Sequence, residues 1–278
     1  SGLGIYEMRI NGNKVTDNVL EPGLTEYEKS IFYNTYDVTE LLNNEGENVI
    51  GAMLGNGIYD NPRYALRYSK ADRTNGKLKL YAQLEITYED GSTQTILSDD
   101  SWKWTNGPTV LSHWYGGEDY DARLEQPGWD SPGFDYSNWQ NCVIENTMLS
   151  SSDGSEVPMG AFKSRMYPGS KIVDTHETVN FYHPEENVYV FDLGVNFAGW
   201  FELNATLPEG TKLKMLPAEQ FNSSTQRVSQ ASYGETPLYD TYIFKGDENG
   251  ETWHPNFMYH GFRWLEVTVI GDTDVELT

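Results

Sequence analysis

The segment Asn75-Gly76-Lys77-Leu78-Lys79-Leu80-Tyr81-Ala82-Gln83-Leu84-Glu85-Ile86-Thr87-Tyr88-Glu89-Asp90-Gly91 decides the fold class. Leu78, Leu80, Ala82, Leu84, Ile86 and Tyr88 take every second position, with Lys79, Gln83, Glu85 and Thr87 between them. A period of two places one set on a buried sheet face and the other in water, so a strand is expected between two turn dipeptides. The chain then turns at Asp90-Gly91 into Thr93, Thr95 and Leu97. The same alternation returns in Phe201, Leu203 and Ala205 and in Leu265, Val267 and Val269. Asn11-Gly12, Asn56-Gly57, Asn75-Gly76, Asn106-Gly107, Asn249-Gly250, Asp90-Gly91 and Asp153-Gly154 supply the positive-φ residues that tight hairpins demand. One helix signal stands against this: Asp37 and Glu40 form a capping-box pattern before Leu41-Leu42. The fold class expected is all-β, with two consecutive β-sandwich, jelly-roll-like domains.

The 278 residues are long enough for two such domains. Ser150–Pro158 is the least apolar stretch of its length and ends in Pro, which puts the expected seam near residue 160 and the domains at 1–160 and 161–278. Forty-two Asp and Glu against nineteen Lys and Arg give a net charge of −23, which repels phosphate backbones and anionic headgroups. Neither a nucleic-acid nor a membrane partner is expected. No apolar run approaches the roughly 18 residues a spanning helix needs, and the first residues lack a signal-peptide pattern. Cys142 alone makes neither a disulfide nor a Cys-based zinc site, and His113, His176, His183, His254 and His260 are scattered. There is no GxSxG, HExxH or P-loop motif. No metal site is expected.

The densest chemical cluster is Trp114-Tyr115-Gly116-Gly117-Glu118-Asp119-Tyr120-Asp121-Ala122-Arg123, followed by Trp129. It combines carboxylates, a guanidinium and rings beside two glycines, as a binding loop does. In an extended strand Glu118 and Tyr120 point one way and Asp121 the other, so the two acids diverge. Glycosidic hydrolysis needs two carboxyls facing one bond, and no catalytic residue is assigned. An Asp121–Arg123 ion pair that pins the loop is the plainer reading. A second cluster, Leu54–Pro62, offers Asn56 and Tyr59 beside Gly57; it could hold a sugar or simply form a wide turn with Asn56 left-handed. Phe191–Trp200 and Tyr259–Trp264 read as core-and-corner motifs, with His260 a structural histidine. Eight Trp and nineteen Tyr favour carbohydrate as the ligand class, because rings stack on sugar faces while amides and carboxylates take hydroxyls. The candidate carbohydrate-binding residues are therefore Asn56, Tyr59, Glu118, Tyr120, Asp121, Arg123 and Trp129.

The succession of the stretches 4–12, 22–27, 36–42, 54–59, 117–123, 192–200, 218–219 and 260–264 resembles the N-terminal β region of bacterial α-L-rhamnosidases, glycoside hydrolase family 78. The matches keep the family's order over essentially the whole chain. The resemblance implies a jelly-roll sandwich, then a second β-sandwich that precedes a catalytic (α/α) barrel, and no such helical barrel is seen in this sequence. It implies a non-catalytic accessory region, an excised piece or a truncated protein, with rhamnose-containing oligo- or polysaccharide and the barrel as partners. Export to the periplasm or cell surface is a further implication. Some members bind L-rhamnose through calcium in a related domain, and Asn56, Glu118, Tyr120, Asp121 and Arg123 match the shared motif. Gly116 and Gly117 bring no side-chain oxygen to a calcium ion, which takes six to eight. No cofactor is expected, calcium being the one ion the resemblance raises. The rival readings are a purely structural scaffold for the barrel and a self-sufficient glycosidase that uses Glu118, Asp121 or Glu219.

Overall fold

The computed structural model describes residues 1–64, 67–70, 73–145, 148–150, 155–234 and 236–271. Residues 151–154 of the expected linker, with the Asp153-Gly154 turn, lie outside them. The described chain is all-β; its only helical pieces are three-residue 3-10 turns at Thr39–Leu41, Ala122–Leu124 and Ala231–Tyr233. The expected capping box is absent. Asp37 instead accepts the Thr39 amide (3.1 Å) and hydroxyl (2.7 Å), a local turn that closes without propagating.

Two compact units emerge, and they divide differently from a single cut near residue 160. The first comprises residues 1–60, 73–106 and 126–171; the second comprises 61–72, 107–125 and 172–278. Strand pairing explains the interleaving. Ala161–Ser164 runs parallel to Ser30–Tyr33 and so stays with the first unit, whereas Gly117–Asp121 runs parallel to Asp240–Ile243 and is drawn into the second.

In the first unit, Ile5–Ile10 pairs antiparallel with Ile50–Gly55, and the Asn11-Gly12 turn, at φ 49° and 82°, folds Asn13–Lys14 back onto it. The Asn75–Gly91 segment splits at Tyr81-Ala82. Lys79–Leu80 pairs with Gly2–Leu3, while Gln83–Thr87 pairs with Thr93–Leu97. Leu84 and Ile86 are half-buried and Gln83, Glu85 and Thr87 exposed, which is the expected alternation. Leu3, Tyr27, Ile31 and Tyr59 form the core.

The second unit is built on a seven-stranded sheet in the order Thr109–His113, Gly117–Asp121, Asp240–Ile243, Lys212–Ala218, His260–Ile270, Val188–Gly199, Asn180–Glu185. Leu213, Met215, Tyr242, Leu265, Val267 and Val269 project from one face into a core shared with Trp253. Trp253 belongs to the antiparallel pair Leu203–Ala205 and Glu251–Trp253, which forms the opposing layer of the sandwich. A register shift between Asp192 and Phe197 lets the Val188–Gly199 strand bend before it rejoins its partner through Phe197–Phe262 and Gly199–His260.

Candidate functional site

The hairpin that carries Glu118 is held in the second unit by an unusual density of buried polar groups. Gly117 has φ 107°, and a Cβ there would overlap the Tyr239 carbonyl; one at Gly116 would come within 2.9 Å of both Arg67 and His113. The two adjacent glycines are thus a packing requirement. His113 Nδ1 accepts the Gly116 N–H at 2.7 Å, so Nε2 carries the proton and donates to the Pro62 carbonyl at 3.0 Å. Burial lowers the pKa of this ring, which keeps it neutral.

Strand alternation sends Glu118 and Tyr120 to the core and Asp119 and Asp121 to the other face. Glu118 exposes none of its surface. Its Oε2 accepts the backbone amides of Asn256 (3.1 Å) and Phe257 (3.0 Å), and its own N–H donates to Asp240 Oδ1 at 2.7 Å. Asp240 Oδ2 meets His260 Nε2 at 2.7 Å, both residues being buried. Burial pushes the Glu118 carboxyl up to about 8, against the lowering pull of the two amides. On the opposite face Arg67, 5% exposed, clasps both Asp119 oxygens at 2.6 Å, donates to the Gly116 and Tyr239 carbonyls, and lies 3.5 Å from the Tyr239 ring centroid.

The remaining sequence candidates are distributed between the units. Asp121 makes a bidentate pair with Arg123 (2.8 and 2.7 Å) and accepts the Arg123 amide, so it caps the turn that follows. Tyr120 stacks on Tyr242 at 5.5 Å and donates to Glu125. In the first unit Tyr59 is fully buried, edge-on to Tyr27, with its hydroxyl on the Asn75 carbonyl. Asn56 donates to Asp60 at 3.3 Å, and it is Gly57, not Asn56, that takes positive φ. Trp129 packs over Gly51 and stacks on Trp139. Glu118 and Tyr59 therefore offer no surface to a sugar in this arrangement; both hold the fold.

Calcium does not fit the matched motif here. The Glu118 oxygens face backbone amides and those of Asp121 face Arg123, which leaves a hard cation no carboxylate. Among the described residues no group of three or more His, Cys, Asp or Glu side chains is gathered for a metal. No helix among them is long and apolar enough to cross a membrane. Sequence reading gave no role to Arg67, Asp119 or Asp240; the partner each one meets lies far off in the chain, so no local signal announces it.

Comparison with known proteins gives consistent matches. The α-L-rhamnosidase N-terminal domain matches residues 1–174, and the bacterial α-L-rhamnosidase concanavalin-like domain matches 182–278. An α-L-rhamnosidase of Formosa agariphila is 33% identical over 273 residues, covering 96% of this chain and 27% of that protein. The structure of the Streptomyces avermitilis α-L-rhamnosidase complexed with L-rhamnose superposes with a TM-score of 0.84 at 32% identity, over 96% of this chain and 25% of that one. That of the Dictyoglumus thermophilum α-L-rhamnosidase gives 0.82 at 36% identity, over 99% and 29%. The chain thus spans about a quarter of the length of the relatives it matches.

Proposed function

Since the chain belongs to the α-L-rhamnosidase family by its N-terminal and concanavalin-like domains, we propose that it is the non-catalytic β region of a glycoside hydrolase acting on rhamnose-containing glycans. One observation carries this reading: none of the three acids of the Glu118–Asp121 stretch is free to serve as half of a facing pair, Asp119 being clasped by Arg67. Glu118 is buried against backbone amides and Asp121 is tied to Arg123. Glycosidic cleavage needs two carboxyls facing one bond across roughly 5 to 10 Å, with the substrate between them. Catalysis then falls to a further domain, the helical barrel that the resemblance implies, and this chain supports that domain and meets the glycan. An aryl α-L-rhamnoside release assay on the purified chain tests it. No turnover is expected, whereas turnover that disappears in Glu118→Gln would overturn the reading.

A purely structural role is favoured by the burial of Tyr59 and Glu118, two of the residues expected to touch sugar. Calorimetric titration with L-rhamnose, with and without calcium, separates the readings: heat that is lost on substituting Asn56 or Trp129 supports glycan contact in the first unit. Silence in every condition leaves the scaffold.

A further inference from the structure

Two stretches that the sequence presents as core-and-corner motifs, Phe191–Trp200 and Tyr259–Trp264, meet on one outward face of the second unit. Phe197 pairs with Phe262, Ala198 with Gly261 and Gly199 with His260. Phe262 and His260 are buried, so alternation turns Asn196, Ala198 and Gly261 outward, and Trp200 and Tyr259 follow one step beyond the last pair. Asn196, Ala198 and Tyr259 are exposed, Tyr259 by 43%. Tyr259 is braced edge-on by Trp114 at 5.5 Å, and Trp200 is stacked on His254 at 5.3 Å. The loop that bears His254 and Tyr259 is the one Glu118 holds through the Asn256 and Phe257 amides. Tyr259, and the His254 on which Trp200 stacks, are thus set on a fixed loop.

Beside them stands a polar edge. Gly261 has no side chain, and the exposed Glu219 lies against it: a Cβ at Gly261 would sit 3.6 Å from Glu219 Oε1. Asn196 Nδ2 reaches the same oxygen at 3.5 Å. Tyr233 donates to the Gly261 carbonyl at 3.2 Å, and burial, with Glu219 nearby, keeps its phenol protonated, at about 12. Two residues of strand separate Tyr259 from Gly261, about 7 Å at the rise of extended backbone, which is the breadth of a pyranose with its hydroxyls.

We propose that this face, with Tyr259 and Trp200 as the stacking platform and Glu219 and Asn196 as hydroxyl acceptor and donor, is a binding site for a neutral glycan. The ring faces take the C–H side of a sugar, the carboxylate and amide take vicinal hydroxyls, and the exposed carboxylate disfavours uronic acids. The inference rests on the reading of the chain as a glycan-associated region, and it assigns the contact to the second unit rather than to Asn56 or Trp129.

Saturation-transfer NMR and Trp-fluorescence titration with methyl α-L-rhamnopyranoside test it, with D-glucuronate as the anionic comparison. Binding in the millimolar range expected of one small exposed platform should appear for the rhamnoside and not for glucuronate. Tyr259→Ala and the isosteric Glu219→Gln should each weaken it by roughly tenfold, and Tyr259→Phe should retain it. Melting midpoints equal to the parent's establish that each variant is folded. Binding unchanged in both Tyr259→Ala and Glu219→Gln overturns this site; if it is then lost in Trp129→Ala, the glycan-associated reading stands with its contact elsewhere. No binding of the rhamnoside by the parent chain overturns the site outright, and the release assay then judges the broader reading separately.

Discussion

The Glu118 carboxyl accepts the backbone amide of Phe257 at 3.0 Å, across 139 residues of sequence and with none of its surface exposed. One side chain on the Gly117–Asp121 strand thereby fixes the approach to the His260–Ile270 strand. A motif whose composition suggests ligand chemistry is occupied with closing the sandwich.

Unfolded, Glu118 ionises near its ordinary 4.5, whereas burial in the folded chain pushes it up to about 8. Between those values the folded chain keeps a proton that the unfolded chain has lost. The stabilisation is therefore complete below about pH 4.5 and declines until it is lost as the pH passes about 8. The Thr109 hydroxyl donates to Oε1 at 3.4 Å, and the Asn256 and Phe257 amides donate to Oε2. Glu118→Gln cannot titrate. Urea denaturation at pH 5 and pH 8 should show the parent losing more stability than the variant, by on the order of a few kcal/mol; parallel pH profiles would refute the assignment.

Asp240 serves two buried donors, the Glu118 amide and His260 Nε2, each at 2.7 Å. Asp240→Ala strands both, and about 3 kcal/mol or more should be lost on chemical denaturation. His260→Gln, which retains a donor, should cost clearly less. An Asp240→Ala chain as stable as its parent would show that the network carries no load.

Gly51 tests what Trp129 does. A Cβ there would stand 2.5 Å from the Trp129 ring, so Gly51→Ala should cost about 1–3 kcal/mol and shift Trp fluorescence. Gly107, where a Cβ would meet nothing within 4 Å, is the control, and Gly107→Ala should be silent. Equal melting curves for the two variants would separate Trp129 from the packing of the first unit.

Arg123 sits at the surface, 43% exposed, and its pair with Asp121 is screened by water. Arg123→Ala should leave the melting midpoint unchanged within error. Asp121→Ala also removes the acceptor of the Arg123 amide and should lower it measurably. A larger effect from the arginine would invert this assignment of roles.

Much of the fold was legible residue by residue. Alternation at Leu265, Val267 and Val269 predicts three buried side chains, and each is less than a tenth exposed. The Asn11-Gly12 dipeptide predicts a tight turn, and both residues have positive φ. The divergence of Glu118 from Asp121 follows from the same period of two. Asp37 shows the opposite case: its side chain does bond locally, but no residue of Thr39–Leu41 is buried, so packing gives no support to a longer helix and only a single 3-10 turn forms.

Which side of a strand a residue takes, where tight turns such as Asn11-Gly12 fall, and the family the motifs belong to are readable along the chain, because these depend on neighbours a few positions away. That Gly117–Asp121 pairs with Asp240–Ile243, that Arg67 finds Asp119, and that Asn196 and Glu219 meet over Gly261 emerges only in the assembled fold. Those pairings are selected by the summed packing of the sandwich rather than by any local preference. An acid on the inward side of a strand reads the same in sequence whether a ligand or a backbone amide awaits it. The difference is made by whichever distant segment the core brings against it.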